Sequence, residues 1–313
     1  MSHWKNPEVL DRAEGRRSDP AWVESCWHRP TARVIRVDAA GRVDLVGSRL
    51  ALTTAGEEYD PLCHHLLGLV EDEPVFAVKV ETASSGLRAV LAELDDVEQE
   101  LAFAAVGVVG WHSRARFCGT CGSLTVPGFG GMVRTCPTCG TDDYPRSDPA
   151  MIVAITDTDD RLLLARHPSW APGFRSVLAG FCETGESLEQ TVYREVEEEV
   201  GLELGQVSYL GSQPWPFPRS LMVAFRAEAR DTELHPADGE IEEAAWYSRA
   251  GLRKAVADGA INLPSEASIA RRMIEAWFAG ALSADGLDEA TRSAPGHAAA
   301  AGFGVTKSEH VAS

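Results

Sequence analysis

Four of the chain's seven cysteines stand in two close pairs, Cys118-Gly-Thr-Cys121 and Cys136-Pro-Thr-Cys139, with 14 residues between the pairs. The segment around them, residues 116–146, is short, rich in Gly and Cys and poor in large aliphatic side chains, so it cannot build a hydrophobic core unaided. Two C-x₂-C knuckles at this spacing can close on a single tetrahedral Zn²⁺. Four thiolates fill the coordination shell of zinc, so the expected role is structural, with one ion per chain supplying the folding free energy that the segment lacks. Four free or redox-active thiols are the alternative; a doubled motif with Gly and Pro in its knuckles argues against it. Cys26, Cys63 and Cys182 are scattered, and in a reducing compartment the pairing of the other four points to metal before disulfide.

The cysteine segment divides 313 residues into two flanks, each long enough for a domain at the usual ~150 residues. Hydrophobic residues make up 44% and charged residues 24%, so both flanks can bury a core. The first flank, 1–112, reads as an α/β domain: a hairpin over 32–46 turning at Ala39-Ala40-Gly41, a strand at 74–80, and a helix over 87–111 with a charged middle. After the ribbon at 113–146, residues 147–281 give strands MIVAIT and RLLLAR around a turn at 157–160. A long acidic helix, a Pro/aromatic loop, a strand at 221–227 and the strand AAWYS follow. A last helix, 265–278, carries Ile269, Met273, Ile274 and Trp277 on one side. Residues 282–313 are Ala/Gly/Ser-rich without periodicity and are expected to form a disordered tail. The longest nearly apolar run, 101–111, is far short of the ~20 residues that cross a bilayer, and the N-terminus has no apolar signal region. The expectation is a cytoplasmic protein with no membrane partner. Its formal net charge of -18 opposes any general attraction to phosphate backbones or anionic lipid, so an anionic ligand would have to be held by something other than bulk charge.

The acidic helix offers that something. Residues 180–202 read GFCETGESLEQTVYREVEEEVGL. Ser187 with Gln190 makes a capping box, placing the helix start at Leu188, and Gly201 stands where a left-handed stop belongs. At about 100° per residue from Leu188, Val192, Val196 and Val200 fall near 40°, 80° and 120°, which defines the buried arc. Glu199, near about 20°, and Glu195, near about 340°, lie at the edge of that arc, whereas Glu197 points away. An uncompensated carboxylate beside apolar packing is costly, and Glu195, Glu198 and Glu199 are i, i+3 and i+4 neighbours whose charges repel. A divalent cation resolves the conflict. Oxygen ligands select Mg²⁺ or Mn²⁺, which would in turn bind phosphate oxygens and acidify a bound water.

This segment resembles the Nudix box, G-x₅-E-x₇-R-E-U-x-E-E-x-G-U with U aliphatic, at Gly180, Glu186, Arg194, Glu195, Val196, Glu198, Glu199, Gly201 and Leu202. The resemblance implies an α/β/α sandwich that hydrolyses nucleoside diphosphates linked to another moiety. It implies that Glu195 and Glu199 ligate metal, that Glu198 serves as ligand or base, with Glu198 or Glu199 as the catalytic carboxylate that takes the water's proton, and that the carbonyl of Ala179 joins the metal shell. Arg194 would pair with Glu186 to hold the loop.

Downstream, Ser212 to Ser220 read SQPWPFPRS. Three prolines stiffen this backbone and present Trp215 and Phe217 either as faces for stacking on a flat ring or as packing for the core. Following a Nudix box, it is similar to the signature of the NADH pyrophosphatase (NudC-like) family, which also carries a four-cysteine zinc ribbon before the Nudix domain. The fold so implied is α/β (α+β): a Nudix α/β/α sandwich preceded by a four-cysteine zinc ribbon and an N-terminal α/β domain. By position, the family implies Tyr144 and Phe181 as ring contacts and Gln213, Pro214, Trp215, Pro216, Phe217, Pro218, Arg219 and Ser220 as substrate-binding. It further implies Ala270 as a backbone contact, Arg88 as a substrate-binding arginine and Glu240 as a further metal ligand, in competition with Glu242 and Glu243. The implied activity is metal-dependent cleavage of NADH and NAD⁺ to the nicotinamide mononucleotide and AMP, with removal of 5′ NAD caps from RNA, by a homodimer. Two other readings stay open: a Nudix hydrolase of ADP-ribose or a dinucleoside polyphosphate, and a non-enzymatic zinc-ribbon nucleic-acid regulator.

Overall fold

The computed structural model describes residues 10–282 and divides into two compact units. Of these, one unit contains residues 10–147 together with Pro214–Ser220; the other contains Asp148–Gln213 and residues 221–282. The expected tail lies, from residue 283, outside the described residues. No helix among the described residues is long and apolar enough to cross a membrane.

The first unit is built on a sheet whose central strand, Arg33–Val37, runs parallel to Glu73–Lys79 and antiparallel to Arg42–Val43. The expected hairpin is present, its turn held by Asp38 accepting from Ala40 and Arg42 backbone N–H groups. The strand Glu73–Lys79 also pairs with His64–Val70, an element whose near-continuous apolar run offers no alternation to read. The expected continuous helix over 87–111 is two helices, Leu87–Val90 and Asp96–Arg114. The charged middle is a capping box: Asp95 accepts from the Glu98 N–H and Glu98 accepts in return from the Asp95 N–H. Acidic side chains there satisfy the orphan donors of a helix start. The long second helix packs on the sheet through Leu101, Ala105, Val109 and their neighbours.

The zinc-ribbon segment adds a three-stranded sheet, Val126–Gly128, Val133–Thr135 and Asp142–Asp143. A buried polar chain ties it to the long helix. Arg134 donates to Thr125 and to Nδ1 of His112, and Nε2 of His112 lies 2.7 Å from the Gly131 carbonyl. Because arginine only donates, His112 must accept at Nδ1 and carry its proton on Nε2, a neutral ring. Burial pushes its pKa down to about 4, and the His65 ring stacked 3.7 Å away to about 2. Gly131 is obligatory there, since its φ is +93° and a Cβ would stand 2.6 Å from the His65 ring.

The second unit is a sheet with helices on both faces. Its strand order is Ser208–Trp215, Ser220–Glu228, Asp148–Thr156, Leu162–Arg166, Glu243–Tyr247, with Leu178–Phe181 added along Asp148–Thr156. The helix Leu188–Val200 covers one face: Val192, Val196 and Val200 are fully buried against Met151, Val153, Ile155, Val223 and Phe225. Each such valine contributes about 1.5–3 kcal/mol by leaving water. The helix Ile269–Phe278 packs against Asp148–Thr156 with the expected Ile269, Met273, Ile274 and Trp277 buried, and a further helix spans Arg249–Ala257. The expected Pro/aromatic loop is partly strand, since Ser208–Trp215 runs through Pro214 before the chain turns. Proline is tolerated there because the strand is at the sheet's edge.

Candidate active site

The acidic helix begins and ends where local chemistry dictates. Ser187 accepts from the Gln190 N–H, Gln190 accepts from the Ser187 N–H, and Gly201 closes the helix at φ +70° with its N–H on the Glu197 carbonyl. The strand Leu178–Phe181 runs beside it, bringing Ala179 and Gly180 to the helix. A Cβ on Gly180 would stand 2.0 Å from Cδ of Glu195, so the carboxylate lies directly on the backbone of this residue. Glycine is needed here for close approach. Gly180→Ala should therefore keep the fold, because the end of a flexible side chain can move, but displace Glu195 and lower kcat about a hundredfold. Steady-state kinetics beside a thermal melt check both halves.

The loop between strand and helix is fastened by one arginine. Arg194 donates from Nε to Glu186 at 2.6 Å, from Nη2 to Glu186 and to the Phe181 carbonyl, and from Nη1 to Glu198 at 2.9 Å. It also lies 3.0 Å from Glu195. Arg194, with the Glu183 N–H and the Thr191 hydroxyl, holds the Glu186 carboxyl down at about 2. Glu186 and Arg194 thus form an ion pair across the loop.

Among the described residues Glu199 carries the one buried carboxylate oxygen without a partner. Its Oε2 is buried with no hydrogen-bond partner, and burial first, then the charges of Glu195, Glu240 and Glu198, raises its pKa to about 8. Burial and the charges of Glu198 and Glu240 also push Glu195 upward, against the pull of Arg194. A buried carboxylate oxygen without a donor, under the charges of three more carboxylates, either keeps a proton or is relieved by a cation, and the donor set fits a hard divalent ion. Glu197 is exposed. The acids of the DGEIEEA loop have different partners: Glu242 pairs with Arg166, Glu243 with Arg166 and Arg175, and Glu240 is the loop glutamate whose charge bears on Glu195 and Glu199. Glu242 and Glu243 stay about half in water, as a solvated acidic face would, while each also pairs with a buried arginine.

The cysteine knuckles are two copies of one turn. The Gly122 and Gly140 N–H groups bond the carbonyls of Cys118 and Cys136 at 2.9 Å, and both glycines adopt left-handed backbone, at φ +75° and +74°. The four sulfurs lie within 4.8 Å of one another, and this is the one set of metal-ligating atoms gathered so closely among the described residues; the glutamate cluster is looser. N–H groups of Cys121 and Thr120 hold the Cys118 thiol below its ordinary pKa. This donor set fits tetrahedral zinc.

The remaining sequence-derived residues fall into three groups. Tyr144 and Phe181 present more than half of their surface to solvent. Trp215 and Phe217 are half-buried in the first unit, edge-to-face at 5.1 Å, with the Arg88 guanidinium 5.5 and 5.1 Å from their ring centres. Pro214, Pro218 and Arg219 are exposed, Pro216 is buried and Ser220 is intermediate. Gln213 and Ala270 are internal. Gln213 is fully buried, its amide donating to the Ala267 carbonyl and accepting from the Ile269 N–H, so its side chain joins strand to helix start. Within the first unit the segment Pro214–Ser220 lines a cavity of about 460 Å³ with Trp111, Arg114 and Arg146. Sequence alone carries no site signal for these three residues or for the buried Arg175; an arginine ending an apolar strand, as in RLLLAR, is the visible signal for the buried Arg166.

Comparison with known proteins agrees with this constellation. Residues 113–144 match the NADH pyrophosphatase zinc ribbon domain and residues 146–265 match the NUDIX domain. The chain is 40% identical over 291 residues to the NAD-capped RNA hydrolase NudC of Mycobacterium bovis (strain BCG / Pasteur 1173P2), covering 86% of this chain and 92% of that protein. It is 42% identical over 223 residues to the NAD-capped RNA hydrolase NudC of Stutzerimonas stutzeri (strain A1501), covering 69% of this chain and 78% of that one. Similarity of this extent, spanning ribbon and acidic helix together, places the chain in the NudC family of Nudix proteins.

Proposed function

We infer that this protein is a divalent-metal-dependent diphosphatase that hydrolyses NADH and NAD⁺ to the nicotinamide mononucleotide and AMP, and that removes NAD from the 5′ ends of capped RNA. The observation that carries the reading is the buried, partnerless oxygen of Glu199 among Glu195, Glu198 and Glu240. Glu195, Glu199 and Glu240, with the Ala179 carbonyl, would hold Mg²⁺ or Mn²⁺. When bound, the cation neutralises the diphosphate and raises the acidity of the attacking water. Glu198, exposed and oriented by Arg194, takes the proton of that water as its oxygen bonds to phosphorus, and the bridging phosphoanhydride bond breaks. Arg194 and Glu186 keep the loop in place throughout. Tyr144, Phe181, Trp215 and Phe217 supply faces for the flat rings, Arg88 braces the last two, and Arg219 and Ser220 offer polar contacts. Gln213 acts by fixing the start of the last helix, where Ala270 offers its backbone. We place the protein in the cytoplasm as a homodimer, with structural zinc in the ribbon.

The test is turnover of NADH, NAD⁺, ADP-ribose, a dinucleoside polyphosphate and NAD-capped RNA side by side, in Mg²⁺ and in Mn²⁺. The expected result is kcat/KM for NADH at least tenfold above that for ADP-ribose and the dinucleoside polyphosphate, with release of 5′-monophosphate RNA from the capped substrate. A preference for ADP-ribose or the polyphosphate would overturn the substrate assignment. RNA binding that is salt-sensitive and survives loss of the glutamates, without turnover, would point to a regulator instead.

A further inference from the structure

We propose that Arg166 and Arg175 are positioning residues that set metal affinity by clamping the loop bearing Glu240. The proposal rests on the reading of Glu240 as a metal ligand. Glu240 is exposed, so packing of its own side chain does not fix where its carboxylate stands. Its loop is fixed at both ends instead. On one side the His235 and Ala237 N–H groups bond the carbonyls of Val200 and Glu199, joining the loop to the C-terminal turn of the acidic helix, and Glu240 and Ile241 fold back onto the Ala237 carbonyl. On the other side the Glu242 N–H bonds the Arg166 carbonyl at 2.9 Å, and the side chains of Glu242 and Glu243 are taken by Arg166 and Arg175.

Both guanidinium groups belong to residues less than a tenth exposed, whereas their carboxylate partners are about half exposed, at 48% and 55%. A rigid, buried guanidinium that reaches out to surface glutamates costs desolvation that a purely surface pair would not, and the return is geometric: a charge-assisted bond from a donor held in place fixes where the partner stands. The forks are themselves anchored, Arg166 donating to the Trp170 carbonyl at 2.9 Å and Arg175 to the Phe174 carbonyl at 3.0 Å. Arg175 also lies on the chain that leads, through the Ala165–Ser176 bridge, into the strand Leu178–Phe181. One clamp thus relates the strand that carries Ala179 and Gly180 to the loop that carries Glu240. Neither arginine touches the acidic cluster, so the effect passes through Glu240.

The clamp is tested by a thermodynamic cycle on the full zinc-loaded chain. Mn²⁺ binding is followed by electron paramagnetic resonance without substrate, for the parent, Arg175→Met, Glu240→Gln and the double variant. Arg175→Met leaves its partner half in water and so should fold; Glu243→Gln, which keeps both arginines, serves in its place should it not. The expected result is that Glu240→Gln and Arg175→Met each weaken Mn²⁺ binding, the first about tenfold and the second about threefold to tenfold, and that the double variant is no weaker than Glu240→Gln alone within twofold. Multiplying effects would show that Arg175 acts by another route and overturn the clamp, as would unchanged affinity in Arg175→Met and Glu243→Gln. Unchanged affinity in Glu240→Gln would remove Glu240 from the ligand set, and the clamp with it, while leaving the diphosphatase reading to the substrate panel.

Discussion

Replacing Glu199 with glutamine is expected to lower turnover about a thousandfold or more in Mg²⁺ and Mn²⁺ alike, and to make the magnesium-free chain more stable above pH 7. The two effects share one cause. Burial and three neighbouring carboxylates raise the Glu199 pKa from the ordinary carboxylate range to about 8. The folded chain therefore keeps a proton that the unfolded chain gives up, and between about pH 4.5 and pH 8 the folded state binds more protons. Stability contributed by this group is complete below the unfolded pKa and is lost as pH rises through the folded one. Glutamine, neutral at every pH, removes that loss together with the ligand. Denaturant unfolding of the zinc-loaded, magnesium-free parent and variant at pH 5, 6.5 and 8 should show the parent weakening with pH and the variant nearly flat from this group. Near-normal turnover in the variant would sink the mechanism, and parallel pH profiles would sink the electrostatic account of Glu199.

Cys136→Ser is expected to empty the ribbon of zinc and unfold residues 113–146. Cys136 is fully buried, and its sulfur lies 3.5 Å from that of Cys121. Structural zinc contributes about 10–16 kcal/mol to small domains, against a whole-domain stability of about 5–15 kcal/mol, so little else can hold this segment. The three-stranded sheet has few buried apolar side chains of its own, and its buried Arg134, bonded from Nε and both Nη atoms, depends on Thr125 and His112 staying in place. Zinc content should fall from one per chain to none, and amide exchange across 113–146 should lose protection. Full protection without zinc would contradict the staple.

What was legible in the sequence was what local chemistry specifies. The acidic helix announced its start through Ser187 and Gln190 and its end through Gly201, and its valine arc is the buried face. Placing Glu199 at the edge of that arc anticipated a carboxylate under strain, and the structure shows the orphaned oxygen. The break before Asp96 was also written locally, in Asp95 and Glu98, but a capping box inside an otherwise periodic stretch reads as a charged face. The parts that stayed hidden depend on distant partners. Gln213 reads like its exposed neighbours, yet its amide is spent on Ala267 and Ile269, more than fifty positions away. Arg166 and Arg175 find their glutamates 76 and 68 positions along the chain, so nothing near them in sequence reveals the clamp. The same pairing occupies Glu242 and Glu243 and leaves Glu240 as the loop glutamate whose charge acts on Glu195 and Glu199.

A net charge of -18 opposes an approaching diphosphate, and a cation held by the acidic cluster would offset that repulsion where the anion must bind. The most direct measurement is chromatographic product analysis of NADH incubated with the zinc-loaded parent and with Glu199→Gln, with and without added Mg²⁺ or Mn²⁺. The expected result is one reduced nicotinamide mononucleotide and one AMP per NADH consumed, from the parent and only with added cation. Equal product from Glu199→Gln, or from the parent without added cation, would contradict it.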